Sequence, residues 1–172
     1  MRRQLQPLGR QLQPLLRASD SRIVAEAVRA LAQADDPSAP RMLHTLLKSA
    51  SGLQRAAIVA TLMEQPDRRA TPMLIQVLDD SVPLGDDHPA VLDTLRVLER
   101  LGDERAIESI ERVMLCRSWF RRKRARAVKQ AAVAALLRIE SPRAKAVLSE
   151  AHRAGDRLLR VVAREMAGAV LP

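Results

Sequence analysis

One short phrase returns along the chain and constrains its fold more than any other feature. It reads DPSAPRML at 36–43, DRRATPML at 67–74 and DERAIESI at 103–110, and a variant, SPRAKAVL at 141–148, puts Ser141 where the others have Asp. The starting points are 31, 36 and 38 residues apart. Self-similarity at such a period is the mark of stacked repeats, in which each unit is one supersecondary element. The phrase itself has a physical meaning. Asp or Ser is a helix N-cap, accepting hydrogen bonds from the first unpaired N–H groups. Pro37 and Pro142 follow at the position where a missing N–H costs nothing. The Ala permits close approach of helices. The Leu or Ile begins an apolar stripe that continues at Leu46 and Leu47, Val77 and Leu78, and Val113 and Met114.

A second amphipathic helix precedes each cap. Ile23, Ala27, Val28 and Leu31 mark the first, and Ile58, Val59, Leu62 and Met63 the second. Val91, Leu92, Leu95 and Leu98 mark the third, and Val128, Ala132, Ala135, Leu136 and Ile139 the fourth. The unit is helix, turn, helix. Neither helix buries its stripe alone, so units must stack. The composition agrees: 47% of residues are hydrophobic, yet there is one Trp, one Phe and no Tyr, so the core is aliphatic. Strands would want more aromatic residues and Thr.

The N-terminal echo QLQPLGRQLQPLLR, residues 4–17, is a different matter. Shifted by 31 residues, Leu12, Leu15, Leu16 and Arg17 fall on Leu43, Leu46, Leu47 and Lys48. The segment thus matches the second helix of a unit that lacks its first. Gly9 and Pro14 weaken it, and a short or kinked helix, frayed before about residue 8, is expected. Such a half unit suits a capping segment or a piece of a longer array.

Paired helices at this period, with D-x-x-A opening the second helix and A-x-x-A-L in the first, resemble HEAT repeats. RARAVKQAAVAALLRIESPRAKAVLSEA, 124–151, is the strongest match within the chain and resembles the wording of bacterial HEAT arrays. DRLLRVVAREMAGAV, 156–170, resembles the first helix of a final unit. The resemblance implies an all-α, right-handed α-solenoid of stacked antiparallel helix pairs, about nine helices in one domain over 1–172. Its parts are a half unit or cap over 1–19, helix pairs over 20–49, 52–79, 87–115 and 119–153, and a final helix over 156–170. It also implies that the second helices line one face, carrying Arg41, His44, Lys48, Arg69, Gln76, Arg105, Glu108, Arg112, Arg143 and Lys145. Solenoids of this type serve many unrelated partners, so the resemblance specifies architecture rather than one activity.

Two inserts depart from the repeat. DDSVPLGDDHP, 79–89, holds four Asp and His88. Clustered carboxylates suit a hard cation or a basic partner, but the spacing of a calcium loop is absent. The simpler reading is a solvated turn in which Asp86 or Asp87 caps the third unit. CRSWFRRKRARAVK, 116–129, carries Arg117, Arg121, Arg122, Lys123, Arg124, Arg126 and Lys129, no acid, and both Trp119 and Phe120. Three readings stand for it. The basic residues and aromatics grip phosphates and bases; they hold an anionic membrane surface; or Trp119 and Phe120 fold back over the joint between units while the cations stay solvated or pair with the acidic middle. The last leads, and the cations still suit an acidic protein partner, since Arg and Trp are common interface anchors.

The charge pattern sharpens this. The net charge of +9 is uneven, with four Lys or Arg against ten Asp or Glu over 79–116, but fourteen against three over 117–164. Such lopsidedness governs partners and association rates. Catalysis is not suggested. There is no glycine-rich phosphate loop, His44, His88 and His152 stand in separate units without ligand spacing, and Cys116 lacks the signature of a nucleophile, although its arginine neighbours would favour a thiolate. Some HEAT-like solenoids resemble alkylpurine DNA glycosylases, but here the aromatics are confined to one loop. No catalytic residue, metal or cofactor is therefore expected. A lone cysteine and no apolar run long enough to span a membrane favour a soluble, cytoplasmic setting. The expected function is a protein-interaction scaffold. It binds an acidic partner through Arg117, Trp119, Phe120, Arg121, Arg122, Lys123, Arg124 and Arg126, with Arg105, Arg112, Arg143 and Lys145 on the groove. Nucleic acid or an anionic surface is the alternative, and self-association, acidic middle to basic end, a third possibility.

Overall fold

The computed structural model describes residues 12, 14–16, 18, 20–33, 38–50, 52–64, 66–117, 120–153 and 156–168. Asp36, Pro37, Trp119 and most of the half unit over 1–19 lie outside them. The described residues form helices joined by turns, with no strand. Helix α1 spans Ser21–Gln33, α2 Ala39–Ser49, α3 Gly52–Glu64, α4 Thr71–Asp80 and α5 His88–Leu101. Helix α6 spans Ile107–Met114, α7 Arg122–Arg138, α8 Pro142–Arg153 and α9 Arg157–Gly168. Residues 14–16 are also helical, with Leu12 and Leu16 buried.

The helices stack in two rows. Helices α1, α3, α5, α7 and α9 each pack on the next in that order, and so do α2, α4, α6 and α8. This is an all-α solenoid of helix pairs. The reason lies in the stripes: Val24, Ala27, Val28 and Leu31 of α1, Val91, Leu95 and Leu98 of α5, and Val128, Ala132, Ala135 and Leu136 of α7 are all buried. They join Leu43, Leu47, Leu74, Val77, Ile110 and Val113 of the second row in one continuous core. One expected stripe residue is displaced. Ile23 is exposed and Val24 takes its place, because the phase fixed by Val28 and Leu31 runs through residue 24.

At three of its turns the repeated phrase does what its chemistry requires. Asp67 Oδ1 accepts the Arg69 N–H at 2.9 Å and Asp103 Oδ1 the Arg105 N–H at 3.1 Å. Ser141 Oγ accepts the Ala144 N–H at 3.2 Å. The two aspartates cap short 3-10 turns, Arg68–Ala70 and Glu104–Ala106, and the α-helices follow one residue later. The phrase's alanines, Ala39, Ala70, Ala106 and Ala144, are all buried, so a bare methyl sits where the turns press against neighbouring helices. The described residues show one backbone in the left-handed region. Gly102, with φ +58°, ends α5 and donates its N–H to Leu98 O at 3.0 Å.

Candidate interaction surface

The basic cluster is mostly helical rather than a loop. Arg122, Lys123, Arg124, Arg126 and Lys129 lie in the first turns of α7, and the connecting segment is confined to 115–121. The residues RKRARAVK are good helix formers apart from Val, and Ala125, Val128 and Lys129 give the segment a buried face. The arrangement has an electrostatic cost. The positive end of the helix dipole faces four exposed cations, each unfavourable by about 0.3–1 kcal/mol, with no acidic residue in the first turn and no side-chain cap. An anion brought to this end relieves that repulsion.

Phe120 does not fold back over the joint between units: it is 92% exposed. Burial of a phenylalanine is worth about 2 kcal/mol or more, which Phe120 forgoes, while Lys129 is the side chain of this segment that lies buried. Lys129 is 1% exposed. Its Nζ donates to Met114 O at 2.8 Å and Cys116 O at 3.0 Å, and pairs with the Asp156 carboxylate at 2.9 Å. Asp156 in turn caps α9, accepting the Leu158 and Leu159 N–H groups at 2.9 and 3.1 Å. Burial works to raise the Asp156 pKa, but Lys129 and those N–H groups outweigh it and hold the carboxyl below its ordinary range. Cys116, half-buried beside this knot, is pushed the other way: burial raises its thiol pKa in spite of the Lys129 charge. The arginines nearby do not activate it.

The remaining cations divide into two groups. Arg121 donates to Leu84 O, and Arg124 to Leu84 O at 3.2 Å and Gly85 O at 2.8 Å, so both clasp backbone carbonyls of the 79–89 insert rather than its carboxylates. Arg126 grips both oxygens of Glu165 at 3.0 Å. Arg117 and Lys123 are exposed and make no ion pair among the described residues.

The second-row face carries a ladder between units. Arg112 of α6 pairs with Asp79 of α4, and Arg143 of α8 with Glu108 of α6 at 3.8 Å. Arg105 binds Asp103 and reaches back to Arg68 O at 2.8 Å. All three guanidinium groups are half exposed or more, so the Arg112–Asp79 and Arg143–Glu108 pairs are each worth at most about 1 kcal/mol. Arg41, Lys48, Arg69, Gln76 and Lys145 are exposed on the same row.

The acidic insert is more ordered than a solvated turn. Asp87 stands at the N-cap of α5 but makes no cap hydrogen bond. Its buried carboxylate instead accepts the Val82 N–H at 3.0 Å and lies 3.0 Å from Lys48 Nζ and 4.0 Å from His44 Nε2. Burial favours the neutral acid, yet the Val82 N–H and Lys48 prevail and lower its pKa. Ser81 Oγ and Asp87 both lie against the same nitrogen of His44, Ser81 at 3.4 Å, so the trio lacks the relay order of a catalytic triad. Among the described residues no group of three or more His, Cys, Asp or Glu is placed to hold a metal ion, and no helix is long and apolar enough to cross a membrane.

A cleft of about 840 Å³ opens between α7 and α9, lined by Cys116, Arg117, Arg122, Ala125, Arg126, Lys129, Asp156, Arg157, Leu158 and Val161. Three of the expected site residues, Arg117, Arg122 and Arg126, meet here. Arg157, Leu158 and Val161 were not anticipated. The signal for them was the stacking order itself, since it sets the start of α9 beside the start of α7.

A family model described as HEAT repeats matches residues 10–85, which include α1–α4 and much of the acidic insert. No curated protein matches the chain. The capped turn, the buried alanine and the paired helices continue past the matched residues through α5–α8. Over residues 10–85 the chain is thus similar to HEAT repeats.

Proposed function

We propose that this protein is a non-enzymatic scaffold that binds an acidic protein partner through the segment 117–126 and the second-row face bearing Arg105, Arg112, Arg143 and Lys145. HEAT repeats generally mediate protein–protein interaction. The observation that carries the finer reading is Phe120, exposed among Arg117, Arg121, Arg122, Lys123 and Arg124. An aromatic ring ringed by arginines is the composition of an interface anchor. The lone Cys116 fits a reducing, cytoplasmic setting.

The experiment is a pull-down from native lysate with the wild type and with a Phe120→Ala, Arg117→Ser, Lys123→Ser variant, with nuclease treatment in parallel. Arg121 and Arg124 are left intact because they hold the 84–85 backbone. A defined protein retained after nuclease and lost with the variant is the expected result. Recovery of nucleic acid or lipid alone would refute the scaffold reading. The uncapped cationic start of α7 favours that second reading, binding of phosphate groups. Salt separates the two, because phosphate binding weakens steeply as counterions compete. Self-association is less favoured, since Asp79 and Glu108 of the acidic middle are already paired within the chain.

A further inference from the structure

A groove of about 550 Å³ runs between α4 and α6 on the second-row face. Its apolar part is Ile75 of α4 and Leu115, the residue after α6, which is 49% exposed. Three carboxylates line the groove, Asp79, Glu108 and Glu111, against two guanidinium groups, Arg105 and Arg112. Both guanidinium groups are answered within the chain, Arg112 by Asp79 and Arg105 by Asp103. Arg143 reaches Glu108 at 3.8 Å. Glu111, half-buried, makes no ion pair among the described residues. The charge left over in the groove is therefore negative. This acid stands beside the exposed leucine: the two are four residues apart, with the Leu115 N–H bonded to Glu111 O at 3.0 Å, so they lie one helical turn apart on one face. The segment 117–126 begins two residues beyond Leu115.

We infer that this groove docks a mixed-charge segment of the partner protein, in which an apolar side chain covers Leu115 and Ile75 and a neighbouring lysine or arginine pairs with Glu111. The inference rests on the scaffold reading and gives the partner a base as well as acids. Charge complementarity selects the occupant. A carboxylate brought to the groove meets Glu111 beside the outer faces of Asp79 and Glu108, and like charges at an interface repel. The phosphates of a nucleic-acid strand meet the same three carboxylates. A cation relieves Glu111, and the apolar side chain beside it removes the leucine from water. Acids elsewhere in the same segment remain free to reach the cations of 117–126, so one partner chain satisfies both surfaces.

The test is a selection of short random peptides displayed on phage against the full chain, followed by fluorescence anisotropy with the enriched peptides. Enrichment of sequences in which Leu, Ile, Met or Phe stands beside Lys or Arg is expected. Glu111→Gln should weaken binding by about fivefold, and Leu115→Asp by about tenfold or more. Glu111→Lys should abolish it, and exchanging the peptide's base for Glu should restore it, a rescue that a misfolded variant does not give. No enrichment, enriched peptides without a base, or no rescue would overturn the inference. So would oligo-dT that displaces the peptide. A sedimentation coefficient that rises with concentration in the wild type but not in Leu115→Asp would put a second copy in the groove and overturn it as well. Peptides that lose binding in Phe120→Ala or Lys123→Ser, but not in the Glu111 and Leu115 variants, would overturn it while leaving the scaffold reading in place.

Discussion

Replacing Lys129 by Met removes an ammonium group and keeps a side chain of similar length in the same slot. The group is 1% exposed and has three oxygen partners, Met114 O, Cys116 O and the Asp156 carboxylate, at 2.8–3.0 Å. Without it two carbonyls are stranded and Asp156 loses its counter-ion. Breaking one side of a buried pair costs about 3–5 kcal/mol. Asp156 retains the Leu158 and Leu159 N–H groups, which places the loss near the lower end, about 3 kcal/mol. Lys129→Ala also empties the volume of the stem and should cost about 2 kcal/mol more. The three partners belong to the end of α6, the segment after it and the cap of α9, so the loss falls on the C-terminal joint. In a stacked array each unit leans chiefly on its neighbours. Hydrogen exchange read by mass spectrometry should therefore show amides of α9 exchanging about a hundredfold faster in Lys129→Met, with α1–α4 little changed. Urea unfolding supplies the global figure. A Lys129→Met protein within about 1 kcal/mol of wild type, or one whose exchange rises equally along the whole array, would refute the claim that this ammonium fastens α9.

Three further outcomes follow from the turns and one from the surface. The Asp103 carboxyl is held at about 2, first by hydrogen bonds from the Arg105 side chain, which prevail over burial. Its folded pKa lies below the unfolded value, so its contribution of at most about 2 kcal/mol is present above about pH 4 and drains away as pH falls toward 2; in an acid titration followed by circular dichroism, Asp103→Asn should lack that part of the slope. Gly102→Ala should lower stability by about 1 kcal/mol in urea unfolding from the positive φ alone, because the added methyl meets only Arg138 O at an ordinary 3.6 Å. Ala106→Leu, at a fully buried turn, should cost about 1–3 kcal/mol by overpacking and lower the melting temperature. Phe120→Ala should leave the melting temperature almost unchanged, since a side chain this exposed contributes within about 0.5 kcal/mol.

The caps were legible because their chemistry is local. Asp67, Asp103 and Ser141 accept from the N–H two or three residues on, and only a few residue types do this. The start of α7 was legible only through the repeat, which put the fourth pair at 119–153, and not from its local charge. Four cations at the positive end of a helix argue against a helix there, and the packing of Ala125, Val128 and Ala132 overrides that local preference. Lys129 was read with its basic neighbours, although its position in the phase of 125, 128 and 132 already placed it on the buried face. The grip of Arg121 and Arg124 on Leu84 and Gly85 had no signature at all, because backbone carbonyls look alike in every sequence. The α7–α9 cleft was hidden for a related reason: its two sides are more than thirty residues apart, and only the stacking order joins Arg122 to Arg157.

The acidic insert has a mechanical consequence. Its Asp87 is held by Lys48 of α2, and its Leu84 and Gly85 carbonyls are held by arginines at the start of α7. A loop between the second and third pairs is thus anchored in the first and the fourth. A solenoid whose units touch only their neighbours flexes like a spring, each joint bending a little. Here a strut runs along one edge, so opening or tightening the curve must strain the anchors at both ends together. The array is stiffer than its helix pairs alone would make it.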